Sequence, residues 1–211
     1  MEAQLRAGAE ALGVPVTDTQ VRQLIAYAQL LQKWGKVYNL TALLSPDEVL
    51  THHLLDSLAV AEPLRRTCGG MPAELLDVGS GAGLPGAVIS VIEPRIRVDC
   101  VDAVAKKAAF VQQVSATLGL ANLHGIHSRV EQVAGQYRVI TSRAFASLVD
   151  FVQLTRHALA EDGVWMAMKG KYPADEVAAL PPDVEMFHVE QLQVPGLGAE
   201  RRLLWLRRRA P

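Results

Sequence analysis

The run Asp77-Val78-Gly79-Ser80-Gly81-Ala82-Gly83-Leu84-Pro85-Gly86 sets one acid and four glycines in ten residues, directly after the apolar pair Leu75-Leu76. Glycine takes positive φ at no steric cost and lets backbone N–H groups approach a ligand closely. Between a strand and a helix, such a loop suits a nucleotide-type ligand. A tight turn with no ligand explains one or two of these glycines, but not four and an acid.

The glycines can be read in two registers. Gly81-x-Gly83-x-x-Gly86 matches the dinucleotide fingerprint, with Asp102 at a ribose-holding distance. Three features count against it. The strand already ends at Val78-Gly79, two residues too early. Pro85 sits where the helix would offer N–H groups to a pyrophosphate. The chain also ends in a strand hairpin, which the dinucleotide fold does not lead one to expect. The other register, Asp77-x-Gly79-x-Gly81-x-Gly83, is similar to the first motif of Rossmann-like methyltransferases that use S-adenosylmethionine. That cofactor carries no phosphate, so no anion nest is needed. Asp77 would serve its amino group or sulfonium, and Asp102 would accept from the two ribose hydroxyls. Asp102 is also placed to cap the helix that follows it.

The elements around the loop follow from periodicity. Residues 1–65 read as a helical extension. Thr17 and Gln20 form a capping box before Val21, Leu24, Ile25, Ala28, Leu31 and Trp34, and Gly35 is expected to interrupt that helix. Ser45-Pro46-Asp47-Glu48 starts another helix. Residues 66–211 alternate strands with helices. Strands are expected over 75–78, 97–101, 123–126, 138–141 and 164–168. Helices are expected over 85–92, 103–118 and 148–159 and near Val130. The segments 184–194 and 201–206 read as a terminal hairpin. The class is α/β: a Rossmann-like, mostly parallel seven-stranded sheet with an antiparallel terminal strand.

Taken together, the motifs resemble one family, the bacterial small-subunit rRNA guanine-N7 methyltransferases, also called the glucose-inhibited division protein B family. The resemblance covers nearly the whole chain. It rests on Trp34, Val37-Tyr38-Asn39-Leu40-Thr41, His53-Leu54-Leu55-Asp56-Ser57, the glycine loop with its Leu84-Pro85-Gly86, Ser128-Arg129-Val130-Glu131, Ser142-Arg143-Ala144-Phe145-Ala146-Ser147-Leu148, and Met168-Lys169-Gly170. It implies methylation of guanine N7 at the position numbered 527 of 16S rRNA. S-adenosylmethionine is the implied cofactor. The implied contacts are Gly79, Leu84, Val130, Glu131 and Arg143, beside Asp77, Gly81, Gly83 and Asp102 of the general motif. The residues between Asp102 and Lys106 and the basic C-terminal tail depart from the family pattern.

Ring-nitrogen chemistry fits what the chain lacks. Guanine N7 has an in-plane lone pair and no proton, so attack on a methyl group needs no general base. No Asn-Pro-Pro-Tyr/Phe signature for exocyclic amines is present. Neither Cys68 nor Cys100 is placed as a nucleophile. Arg143 and Lys169, at predicted strand ends, are the expected positioning residues. His52, His53 and Asp56 invite a metal reading, but no third ligand is spaced to join them, so no metal is expected. A polar helix face at the cofactor mouth, joined by Tyr38 and Asn39, is the other reading. With a net charge of −1 no global field draws nucleic acid, so rRNA contacts would be local. Arg65, Arg66, Lys106, Lys107, Arg129, Arg201, Arg202, Arg207, Arg208 and Arg209 are the candidates. The expected partner is 16S rRNA in the small subunit or an assembly intermediate, met by a soluble, cytoplasmic, monomeric protein with no membrane contact. Two alternatives stay open: the same fold acting on a protein or small molecule, and a ribosome-binding regulatory protein that only senses the cofactor.

Overall fold

The capping signals start the helices where the sequence places them. In the computed structural model, the Thr17 hydroxyl accepts from Gln20 N (3.2 Å) and the Gln20 side chain accepts from Thr17 N (2.9 Å) at the head of α2 (Asp18–Tyr38). Ser45 and Glu48 repeat the device before α3 (Pro46–Glu48). That helix runs on as a π-helical segment, Val49–Leu55, into a last turn, α4 (Asp56–Leu58). Helix α1 (Glu2–Ala11) precedes them and α5 (Ala61–Cys68) follows. The structure describes residues 1–143, 145 and 147–209, so Ala144 and Ala146 of the 142–148 motif lie outside the described residues.

Gly35 does not interrupt α2. The helix continues to Tyr38 and ends on Asn39 at φ 50°. The glycine answers a packing need instead, because a Cβ there would lie 2.3 Å from a Leu44 methyl.

The remaining elements are β1 (Ala73–Val78), α6 (Gly86–Ile92), β2 (Ile96–Asp102), α7 (Ala105–Leu118), β3 (Leu123–His127), a 3₁₀ turn (Val130–Gln132), β4 (Tyr137–Ser142), α8 (Leu148–Thr155), β5 (Leu159–Lys169), α9 (Ala174–Ala178), β6 (Val184–Leu192) and β7 (Arg201–Arg208). The sheet order is β3-β2-β1-β4-β5-β7-β6, with β7 antiparallel to both neighbours. This is the expected seven-stranded architecture with its terminal hairpin. Three details differ. Strand β5 begins at Leu159 rather than 164, because a bulge between Tyr137 and Val139 lets Leu159 pair before Val164. Helix α8 stops at Thr155 and turns through a 3₁₀ segment, Arg156–Ala158. Helix α9 has too few residues for its periodicity to show in the sequence.

Alternation along the strands divides the core. Leu75, Val98, Met166 and Trp205 face α6, α7 and the N-terminal helices, in one cluster with Leu5, Leu24, Leu31 and Leu54. Leu76, Ile140, Trp165 and Leu204 face α8. Helix α2 also caps its neighbours. The Gln20 amide donates to Val91 O (3.0 Å) at the end of α6, and Gln23 to Leu118 O (2.9 Å) at the end of α7. Both satisfy carbonyls left over by a helix terminus.

The β3–α7 contact has no spare room. A Cβ on Gly125 would lie 2.3 Å from the backbone oxygen of Ala108. Gly125→Ala is therefore expected to cost about 1–3 kcal/mol, read as a lower urea midpoint at unchanged slope; an unchanged midpoint would show that the two elements can separate freely.

Candidate active site

Two acids at neighbouring strand ends hold the glycine loop. Asp77 is fully buried, and its Oδ2 accepts from Gly86 N (2.8 Å), the first N–H of α6; its Oδ1 has no partner among the described residues. A side chain on Gly86 would meet Cys100 Sγ at 2.5 Å and Asp77 Oδ2 at 2.8 Å, so only glycine lets the carboxyl reach that N–H. Asp102 accepts from Gly81 N through Oδ2 (3.1 Å) and from Val104 N through Oδ1 (2.8 Å). The second bond is the helix-side role foreseen for it. From the opposite side, the Tyr27 hydroxyl of α2 donates to Ala82 O (2.9 Å).

Two cavities open along the carboxyl edge of the sheet. The first, about 250 Å³, is lined by Gly79, Asp102, Val130, Glu131, Ser128 and Phe145, with apolar walls from Val78, Val101 and Leu154. It brings together Gly79, Asp102, Val130 and Glu131 of the expected cofactor set. Asp77, Gly81, Gly83 and Leu84 line neither cavity. Asp77 points under the loop toward α6, and Leu84 packs into the core. The second cavity, about 320 Å³, is lined by Thr41, His53, Asp56, Arg143, Lys169 and Arg201, among others. Arg143 belongs to this one.

The polar groups of the second cavity are tied to one another. Asp56 Oδ1 accepts from Arg201 Nε (2.7 Å) and its Oδ2 faces Arg143 Nη1 at 3.4 Å, while the same Nη1 donates to His52 O (2.8 Å). His53 Nε2 lies 3.1 Å from Thr41 Oγ1 and 3.0 Å from Leu43 O. Burial, then the Arg143 charge, makes its imidazole harder to protonate than usual. Lys169 Nζ donates to Glu176 of α9 (2.8 Å). Tyr38 stacks on Trp34 and Asn39 ends α2, so neither joins the cavity wall.

Sequence reasoning missed Asp56 as the partner of two arginines, and Arg201 and Thr41 as wall residues. Its basic candidates are mostly committed elsewhere. Arg65 pairs with Glu93, Arg66 with Glu190 and Arg207 with Glu185. Arg208 donates to the carbonyls of Arg156 and Leu159, and Arg209 to Val184 O.

The model of the GidB family, rRNA small subunit methyltransferase G, matches residues 20–205. The chain belongs to this family. It is 60% identical over 215 residues to the ribosomal RNA small subunit methyltransferase G of Acidovorax ebreus (strain TPSY), covering 98% of this chain and 95% of that one. The family is one of methyltransferases, and the chain is accordingly an enzyme of that kind. The solved structures agree in fold. A SAM-dependent methyltransferase from Aquifex aeolicus aligns with TM-score 0.58 at 15% identity, covering 82% of this chain and 96% of that one. The N-methyltransferase NodS of Bradyrhizobium japonicum WM9, in complex with S-adenosyl-L-homocysteine, aligns with TM-score 0.59 at 12% identity, covering 86% and 99%. The fold of the GidB family member is thus that of the class I methyltransferases. No helix among the described residues is long and apolar enough to cross a membrane.

Burial carries the Asp77 carboxyl up to about 7, against the opposing pull of the Gly86 N–H and Arg143 and with a small addition from Asp102. Between the ordinary aspartate range and pH 7, only the folded chain keeps this proton, so rising pH weakens the fold over that interval. Asp77→Asn has no proton to lose. Its stability relative to wild type is expected to climb by up to about 4 kcal/mol across that interval in urea titrations; parallel pH profiles would reject a buried, protonated Asp77.

Proposed function

We propose that the enzyme transfers a methyl group from S-adenosylmethionine to N7 of the guanine numbered 527 in 16S rRNA, presented by the small subunit or an assembly intermediate, and that it acts as a cytoplasmic monomer. The observation that carries this reading is the pair of cavities on one sheet edge. One has apolar walls and a strand-end carboxylate; the other is cationic, with Arg143, Lys169 and Arg201 in its wall beside Asp56.

The first cavity suits the cofactor. Each Asp102 oxygen accepts one backbone hydrogen bond, with Lys107 Nζ 3.7 Å from Oδ2, and keeps a lone pair for the ribose hydroxyls. Gly79 has φ 64°, and a Cβ there would approach Phe145 at 3.9 Å, so the missing side chain keeps the wall flat. Val130 and Glu131 offer backbone and an acid beside apolar surface. When bound, S-adenosylmethionine supplies an electrophilic methyl group on sulfur. We place Gly79, Asp102, Val130 and Glu131 in contact with it. Asp77, Gly81, Gly83 and Leu84 shape the loop from behind.

The second cavity suits the guanine. Within it Asp56 serves two arginines, His53 is engaged by Thr41 and Leu43, and Lys169 is held by Glu176. Attack by N7 needs none of them as a base. Arg143 and Lys169, at the carboxyl ends of β4 and β5, position the target nucleotide: Arg143 holds it in the cavity, and Lys169 orients the base so that nitrogen, methyl and sulfur lie in line. The methylated purine carries positive charge, and the two carboxylates beside these cations keep the cavity from opposing it. On this reading residues 1–65 are a helical extension that supplies one wall of the cavity of 66–211.

Small subunits lacking the modification, incubated with the protein and labelled cofactor, should take label at one guanine whose N7 methylation makes the RNA strand cleavable by aniline after borohydride reduction. Label on protein, or RNA label without cleavage at that base, would overturn the assignment. Gly81→Asp adds a carboxylate where a Cβ meets nothing within 4 Å but φ is 58°. It should cost about 1–2 kcal/mol of stability and abolish cofactor binding by setting an acid beside Asp102; binding at wild-type strength would reject the loop assignment.

A further inference from the structure

Asp56 is the most deeply buried charge at the second cavity, with 1% of its side chain exposed. It stands just past the π-helical segment, where its own N–H reaches back five residues to Thr51 O. Its carboxylate joins two guanidiniums from strands running in opposite directions. Arg143 follows β4, and Arg201 opens β7. Each guanidinium is fixed a second time by a backbone oxygen: Arg143 by His52 O (2.8 Å) and Arg201 by Glu200 O (3.0 Å).

Arg143 is held through Nη1 alone, and Arg201 through Nε and Nη1, so each guanidinium keeps donors over. Arg143 Nε and Nη2, and Arg201 Nη2, have no protein acceptor among the described residues. Two such sets of donors in the wall of one cavity match a group that presents two acceptor oxygens. Asp56 lines the cavity, but both of its oxygens already face the arginines. A lysine at either arginine position would keep the charge but lose the fork.

We propose that Asp56 is a positioning residue for the substrate: it aligns Arg143 and Arg201 so that their free edges seat a backbone phosphate next to the target guanine. This rests on the reading that the second cavity receives the target nucleotide. The role separates binding from chemistry. Loss of Asp56 lets both guanidiniums swing, and the cost falls on RNA capture rather than on the cofactor or the methyl-transfer step.

Asp56→Asn keeps the shape, leaves one acceptor and turns an amide N–H₂ toward the other arginine. KM for small-subunit RNA is expected to rise about tenfold or more, with kcat within about threefold. The slope of log affinity against log salt should become shallower by about one. Affinity for S-adenosylhomocysteine, measured by calorimetry, should stay within twofold. Arg201→Lys should reproduce the KM rise and also serves if Asp56→Asn does not fold. Wild-type KM and salt slope in these variants would overturn the proposal. So would a loss shared equally by kcat and cofactor affinity in step with a falling Tm, which marks a merely structural role. The wild-type protein is measured first on the same subunits. If it neither binds nor methylates them, the functional reading fails; if it does both and the variants match it, only the positioning role fails.

Discussion

Two carboxylates, one from below and one from the side, fix the turn between β1 and α6, and the carboxyl edge of the sheet takes its shape from them. Asp77 receives the first N–H of α6 and Asp102 receives the N–H of Gly81. This arrangement also decides what the loop cannot hold. A helix N-terminus binds phosphate through its unpaired N–H groups. Here Pro85 has none to give, and the Gly86 N–H is already taken by a buried acid. The loop therefore presents a flat backbone wall and a ribose-sized acceptor, not an anion nest. The same spacing of glycines that fits a dinucleotide enzyme on paper is closed to it by one internal hydrogen bond.

The N-terminal helices are part of that constraint. Tyr27 holds the loop at Ala82, Gln20 and Gln23 close the ends of α6 and α7, and the cluster around Leu24 and Leu54 is continuous with the sheet face at Leu75 and Trp205. The π-helical segment ends this chain of supports by delivering His53 and Asp56 to the cavity wall. Widened helical turns recur at functional sites because they re-aim side chains without breaking the helix. The cavity thus depends on two bodies of sequence packed as one, and a change in α2 can reach the cofactor side through a single hydroxyl.

The parts of this fold legible in the sequence are those set by local chemistry. Thr17 with Gln20, and Ser45 with Glu48, announce helix starts because the capping partners are three residues apart. The glycine loop and the terminal hairpin are likewise local. What stayed hidden depends on residues far apart in the chain. Asp56 and Arg201 are 145 positions apart and meet only because β7 folds back beside β5. Gly35 looked like a break, because the Leu44 methyl that needs its space belongs to a loop beyond the helix. Asp77 was read as facing a ligand, but the pleat puts it on the same face as Leu75, toward α6. Its type was visible from the motif, and its direction was set by alternation along β1.

The fate of the arginines bears on how such a protein could select RNA. The chain carries a net charge of −1, and five of the ten basic candidates are bound to Glu93, Glu190, Glu185 or to backbone carbonyls. With no net positive charge to draw a polyanion from a distance, long-range steering is weak. Recognition then falls to a few donors held rigidly at one cavity and to the fit of an exposed base within it, the mode by which folded RNA with splayed loop nucleotides is read. On the proposed reading, the substrate's own fold presents the guanine and its backbone together, at the spacing that Asp56 sets for Arg143 and Arg201.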